Sequence, residues 1–154
     1  MRLSRARLGA AAATVGIAVG GGLATDPGSD WFAGLEKPAW YPPPATFGIV
    51  WTGLYAGIAW AGGELLERSG TGRGANAGAL GVNLVLNAAW TPLFFRAHRP
   101  ALAAAECGLL AASTADLVRR ARPVSRPAAA VLAPYAVWTA FATALSWAIA
   151  RRNR

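Results

Sequence analysis

Charged positions along this chain come in clumps, and the spaces between the clumps are long. Residues 8–25, 46–63, 75–95 and 127–150 contain no Asp, Glu, Lys or Arg, and residues 101–115 contain only Glu106. An α-helix rising about 1.5 Å per residue needs about 20 residues to cross the hydrocarbon core of a bilayer. Four stretches have a length in that range, and the fifth reaches it if it runs from about His98 to Val118. The pattern predicts an all-α polytopic membrane protein: one domain over residues 1–154, a bundle of five transmembrane helices at about 8–25, 46–67, 75–95, 98–118 and 127–150. Neither a soluble domain nor an internal repeat is visible.

The connections refine this picture. Asp26, Pro27 and Gly28 break the first helix. The loop over residues 26–45 is the longest connection and the aromatic one, carrying Trp31, Phe32, Trp40 and Tyr41. Pro42, Pro43 and Pro44 fix the backbone and keep the preceding residues extended, so the loop should be stiff. Three roles compete for it: an anchor in the lipid interface, a lid over a binding site, or a kinked connection. The "RSGTGRGANAG" stretch (68–78) reads as a short flexible turn, and "RAHRP" (96–100) is tight enough to make its flanking helices antiparallel neighbours. Pro134 should kink the last helix. Gly16 and Gly20 have the small-xxx-small spacing that permits close helix approach.

Only 14% of residues are charged, against about 25% in ordinary soluble domains. The net charge of +8 invites a nucleic-acid reading, but the arginines lie at segment ends rather than along one soluble face, which argues for membrane flanks and against nucleic acid. With five crossings, Arg2, Arg5, Arg7, Arg68, Arg73, Arg119, Arg120, Arg122 and Arg126 share one side. Lys37, Arg96, Arg99, Arg151, Arg152 and Arg154 share the other. Nine against six favours an inside N-terminus, with the long loop outside. The first 25 residues also have the form of a signal peptide, although a retained first helix explains the same pattern.

Candidate chemistry is sparse. Asn83, Asn87, Trp90 (or Thr91) and Phe94 form one helical stripe. Two asparagines in hydrocarbon need partners, either across helices or on a ligand. Trp51 and Tyr55 project together, and Tyr135, Trp138, Ala142 and Leu145 share a face. Trp40, Trp90 and Trp147 sit where interface anchors sit, whereas Trp51 and Trp138 lie deeper and suit a cavity for a flat apolar ligand. Glu106 is an intramembrane carboxyl, read either as functional or as a neutral, hydrogen-bonded group at a helix interface. His98, Cys107 and Met1 are each the single residue of their type. The side chains of a conventional multi-ligand metal centre, a catalytic triad or a phosphate loop are therefore not present as a set.

Three blocks bring these residues into a familiar order: "KPAWYPPPATFGIVWTGLYAGIAW" (37–60), "NLVLNAAWTPLFF" (83–95) and "APYAVWTAFATALSWAI" (133–149). They resemble the signature blocks of the TspO/MBR family, the bacterial tryptophan-rich sensory proteins and the mitochondrial translocator protein, over roughly residues 30–150. The resemblance implies a five-helix bundle, often dimeric, with an intramembrane pocket under the first loop. It implies a ligand, protoporphyrin IX or a related tetrapyrrole, and no required cofactor. Matched positions make Trp51, Tyr55, Asn87, Trp90, Trp138, Ala142 and Leu145 the ligand-binding residues, with Trp40, Pro42 and Pro43 in the lid. The porphyrin carboxylates are expected near the outer mouth, within reach of Lys37 or Arg96. The family's sterol-recognition pattern is incomplete, since Ser146 and Trp147 replace its asparagine and tyrosine. The expected function is thus a tetrapyrrole receptor or transporter, a homodimer in a bacterial cell membrane. Its rivals are a light-dependent porphyrin-degrading scavenger, in which Trp51 and Trp138 supply electrons, and a regulatory membrane partner with an incidental pocket.

Overall fold

The computed structural model describes residues 4–154, so Arg2, counted above toward the N-terminal side, lies outside the described residues. Five long helices and one short one account for most of the chain. They are α1 (Arg5–Ala24), α2 (Asp30–Ala33), α3 (Pro44–Arg68), α4 (Arg73–Thr91), α5 (Pro100–Val124) and α6 (Arg126–Arg152).

Local chemistry sets the helix ends. Ser4, Ser29 and Ser125 are N-caps whose hydroxyls accept from Arg7, Phe32 and Ala128 N–H respectively. Pro44 and Pro100 stand in the first turns of α3 and α5, where a missing N–H and a fixed φ suit helix entry. Ser125 is also the only residue between α5 and α6, and its extended backbone turns the chain sharply. Residues 68–78 are more ordered than a flexible turn: Gly70–Gly72 is a 3₁₀ turn, with Gly70 at φ 52°, and α4 begins at Arg73. At the far end of α4 the ladder widens into a π turn over Pro92–Arg96, where Ala97 N–H donates to Pro92 C=O at 2.9 Å. Pro92 has no donor of its own, and the wider turn leaves both Phe94 and Phe95 buried.

The long helices close a ring in the order α1, α3, α6, α5, α4, with α5 against α6 the most extensive contact. At one end Arg7 bonds Glu67 at 2.5 Å and Glu64 at 2.7 Å, and Arg68 pairs with Glu64. Asp116, Arg120 and Asn76 lie at that same end, which unites the N-terminal end of α1 with the 68–76 and 116–126 connections, as alternating antiparallel helices require. The 26–45 loop and the α4–α5 turn occupy the other end, where Arg96 reaches Leu23 C=O.

Close approach between α1 and α3 uses glycines other than those singled out by spacing. A Cβ added at Gly63 would lie 3.0 Å from the Arg7 Cα, and one at Gly62 would lie 3.7 Å from Ala10 Cβ and 3.0 Å from Leu80 Cδ2 of α4. Gly16 and Gly20 have nothing within 4 Å of an added Cβ, so within this chain they make no helix contact. Large apolar side chains face outward around the ring, among them Leu23, Ile49, Val85, Leu109 and Val137. Such a surface is an aggregation liability in water and the ordinary condition in lipid.

Among the described residues, four helical spans are long and apolar enough to cross a membrane: Arg5–Ala24, Gly70–Arg96, Pro100–Ala121 and Arg126–Arg152. Helix α3 has the length, but Trp51, Tyr55, Trp60 and the glycines along it leave it outside that set.

Candidate functional site

Two layers fill the ring, one above the other. The lower layer is a hydrogen-bonded seam across four helices. Tyr55 Oη on α3 donates to Asn87 Oδ1 on α4 at 2.8 Å, and Asn87 Nδ2 donates to Tyr135 Oη on α6 at 3.0 Å. Tyr135 Oη donates in turn to Asn83 Oδ1 at 3.1 Å. Asn83 Nδ2 then reaches Thr114 Oγ1 at 3.0 Å and Ser113 Oγ at 3.3 Å on α5. The two asparagines therefore find their partners across helices, one of the two alternatives that their stripe on α4 left open. Tyr135 is the hub of the seam and is 1% exposed. Its place on the Trp138 face was visible in the sequence, but its hydroxyl's role was not.

The upper layer is aromatic and reaches into the long loop. One arc runs from Trp40 to Phe141, Trp138, Phe47 and Tyr41, with successive ring centroids 5.8, 5.2, 5.8 and 5.4 Å apart. Both ends of this arc are loop residues. A second group brings Trp31 and Phe32 of α2 onto Phe94, at 5.5 and 6.2 Å, with Trp90 stacked on Phe94 at 5.2 Å. Phe95, Leu145 and Ile149 complete this cluster. Spacing holds a signal for the ring partners Phe47 and Phe141, four residues before Trp51 and three after Trp138.

The loop is tied down from several sides. Asn153 and Glu36 exchange two bonds of 3.0 Å, which fasten the loop to the end of α6. Lys37 Nζ donates to Phe32 C=O at 2.7 Å and Leu35 C=O at 3.3 Å, and sits 4.3 Å from the Phe32 ring centroid. Trp31 stacks on His98 at 4.2 Å; His98 holds φ 52° in the α4–α5 turn. Burial raises the Tyr41 phenol above its ordinary pKa, so the underside of the loop presents a neutral hydroxyl there. Lys37 thus braces the loop's own carbonyls, and Arg96 donates to the end of α1.

The expected ligand-binding residues divide between the layers. Trp51 stacks on Tyr55 at 5.3 Å and meets Tyr135 edge-on at 6.2 Å, at the seam. Asn87 is buried in the seam and already bonded on both sides. Trp90, Trp138 and Leu145 belong to the upper layer, and Ala142 is half-buried on α6 beside them. Trp51 and Trp138 each pair with other rings rather than with one another. Among the lid positions, Trp40 is 49% exposed, while Pro42 is half-buried and Pro43 exposed. Trp90 is not an interface anchor: its Nε1 is buried, where an anchor would hold it among the headgroups.

The satisfied and unsatisfied polar groups also divide by layer. Four buried side-chain atoms lack a hydrogen-bond partner among the described residues: Trp90 Nε1, Trp138 Nε1 and both carboxyl oxygens of Glu106. Such groups cost about 1–3 kcal/mol each when buried alone. An open apolar groove of about 720 Å³ lies between α3 and α6, walled by Val50, Leu54, Pro134, Val137, Trp138 and Phe141. Of the expected ligand-binding residues it includes Trp138 alone. Among the described residues no three His, Cys, Asp or Glu side chains are grouped to hold a metal ion.

Comparison with known proteins gives this arrangement its context. The profile of the TspO/MBR family matches residues 9–152. The chain is 33% identical over 149 residues to the translocator protein of Homo sapiens, covering 92% of this chain and 86% of that one. It is 34% identical over 119 residues to the tryptophan-rich protein TspO of Bacillus cereus, covering 77% and 78%. It is 30% identical over 124 residues to the tryptophan-rich sensory protein of Cereibacter sphaeroides, covering 80% and 77%. With its apolar helices and tryptophan-bearing blocks, the chain is an integral membrane protein belonging to the TspO/MBR family.

Proposed function

We propose that this protein binds a tetrapyrrole, with protoporphyrin IX as the model ligand, in the aromatic layer beneath the 26–45 loop, and acts as a membrane receptor or transporter for it. In this reading all five long helices cross the bilayer, α3 included, because its 25 residues are long enough to span and it packs between α1 and α6 in the ring. The N-terminus lies inside and the loop outside, and two such chains pair through the apolar outer surface of the bundle.

The observation that carries the reading is the pair of buried indole N–H groups, Trp90 Nε1 and Trp138 Nε1, without partners in a layer otherwise built of rings. A flat ligand with an apolar face and polar edges supplies what this layer lacks: ring surface for stacking and acceptors for the two donors. Trp51 and Tyr55 form the floor, and the loop, fastened through Asn153 and Lys37, forms the roof.

The test is quenching of tryptophan fluorescence by protoporphyrin IX, in the dark, with the full chain in nanodiscs. Wild type runs beside the Trp51→Phe/Trp138→Phe double variant. Saturable quenching that weakens at least fivefold in the variant supports the reading. Non-saturating quenching, equal in both, contradicts it.

A further inference from the structure

Glu106 and Trp90 carry three of the four unpartnered buried polar atoms, and they sit on neighbouring helices. The register between α4 and α5 follows from the seam. Asn83 faces Ser113 and Thr114, and Asn76 meets Arg120 at 3.5 Å. These pairs describe an antiparallel hairpin centred on His98. Seven residues up α4 from Asn83 is Trp90, and seven residues down α5 from Ser113 is Glu106. Seven residues are about two turns, so both steps climb about 10 Å and return to nearly the same helix face. Trp90 and Glu106 are therefore level with one another, two turns above the Asn83 junction. One offers a donor, the other two acceptors, and Glu106 is only 8% exposed.

We propose that Glu106 and Trp90 form a polar subsite at the edge of the aromatic layer that takes a protonated carboxyl group of the ligand. The ligand's O–H donates to a carboxyl oxygen of Glu106, and its C=O accepts from Trp90 Nε1–H. No bond is made or broken, and the proton stays within the carboxyl pair. This assignment rests on the tetrapyrrole reading above and names the contact that reading leaves open.

Three observations favour an acid over other groups. The donor and acceptor come from separate helices, whose axes normally lie about 8–10 Å apart. A carboxyl presents its own donor and acceptor on two atoms, whereas a hydroxyl needs both side chains to converge on one. An amine satisfies Glu106 but leaves the indole N–H unpaired. Finally, among the described residues no cation is bonded to Glu106, while Lys37 donates to loop carbonyls and Arg96 to Leu23 C=O. An acid entering here is accommodated as the neutral form, which costs far less to desolvate than a carboxylate.

The experiment compares protoporphyrin IX with its dimethyl ester, which keeps the macrocycle and the carbonyl acceptors but has no acid O–H. Dissociation constants are measured in nanodiscs in the dark for wild type, Glu106→Leu, Glu106→Gln and Trp90→Phe. Thermal unfolding is recorded for each. Wild type should prefer the free acid about tenfold. Glu106→Leu should erase that preference while unfolding no earlier than wild type, because it removes a buried unpaired carboxyl. Glu106→Gln, which keeps an acceptor, should retain most of the preference, and Trp90→Phe should reduce it at least threefold. An acid-to-ester ratio unchanged in Glu106→Leu would overturn the subsite while leaving porphyrin binding intact. If Glu106→Leu does not fold, an unchanged ratio in Trp90→Phe overturns it equally. Absence of saturable binding by wild type would overturn the tetrapyrrole reading, and the subsite with it.

Discussion

The seam and the aromatic layer occupy the same ring of helices, yet they treat their polar atoms in opposite ways. In the seam every side-chain polar group from Tyr55 to Thr114 has a partner, and the chain of bonds joins α3, α4, α6 and α5. One turn higher on α6 and two turns higher on α4, Trp138, Trp90 and, facing α4, Glu106 are buried without partners. A protein in lipid can satisfy such groups with its own helices, as the seam shows, at about 0.6–1.7 kcal/mol per bond. Where it does not, the groups are positioned for something else. The difference separates what holds the bundle from what the bundle holds.

If that division is right, substitutions in the two layers should have different signatures. Asn83→Leu removes the bonds to Tyr135, Thr114 and Ser113, and should lower stability by about 2–4 kcal/mol, read as unfolding in a mild detergent. Porphyrin affinity per folded molecule should stay within about threefold. A large affinity loss there would merge the two layers into one. Gly63→Val tests the scaffold without touching either layer. Its side chain meets the Arg7 backbone, and the overpacking should cost about 1–3 kcal/mol with binding unchanged.

Trp138→Phe should do the reverse. It keeps a ring against Phe47 and Phe141, and the relief of the unpartnered N–H offsets the packing lost with the smaller ring, so stability should move by less than about 1 kcal/mol. Affinity should fall five- to tenfold, about 1–1.4 kcal/mol. The smallest effect is expected at the loop. Asn153→Ala breaks both bonds to Glu36 in an exposed setting, which should cost roughly 0.5–1 kcal/mol. It should speed ligand release in stopped-flow measurements more than it slows capture. A loop that serves only as a connection would leave both rates alone.

Much of this architecture was legible in the chain. The five charge-poor stretches became the five long helices, because an uncharged run of about 20 residues has few other stable fates. The asparagine stripe on α4 required partners, across helices or on a ligand, and neighbouring helices supply them. What stayed hidden depends on tertiary register. Gly16 and Gly20 had the right spacing, but rotation of α1 turned them outward and placed Gly62 and Gly63 of α3 at the crossing. Trp90 lies near a helix end, where anchors are common. The π turn after Pro92 and the folded-back loop buried its indole instead. Helix α2 is four residues capped by Ser29, too short for any periodicity to reveal. Lys37 and Arg96 had the charge to meet ligand carboxylates, and only the folded loop shows that each also donates to nearby backbone carbonyls. Of the candidate site, the residue types were readable and their division into two layers was not, because that division is made by which hydroxyl and amide meet across helices.

The most direct test is the rise in unfolding temperature that saturating protoporphyrin IX produces in the dark, measured in nanodiscs for wild type, Asn83→Leu and Trp138→Phe. At a ligand concentration of 100 times Kd the expected stabilisation is about 2.7 kcal/mol. Asn83→Leu should begin at a lower temperature and show the full wild-type rise. Trp138→Phe should begin near the wild-type temperature and, at the same ligand concentration, lose about a third to a half of the rise. A full rise in Trp138→Phe with a lost rise in Asn83→Leu would place the ligand on the seam and contradict the division of the bundle into a structural layer and a binding layer.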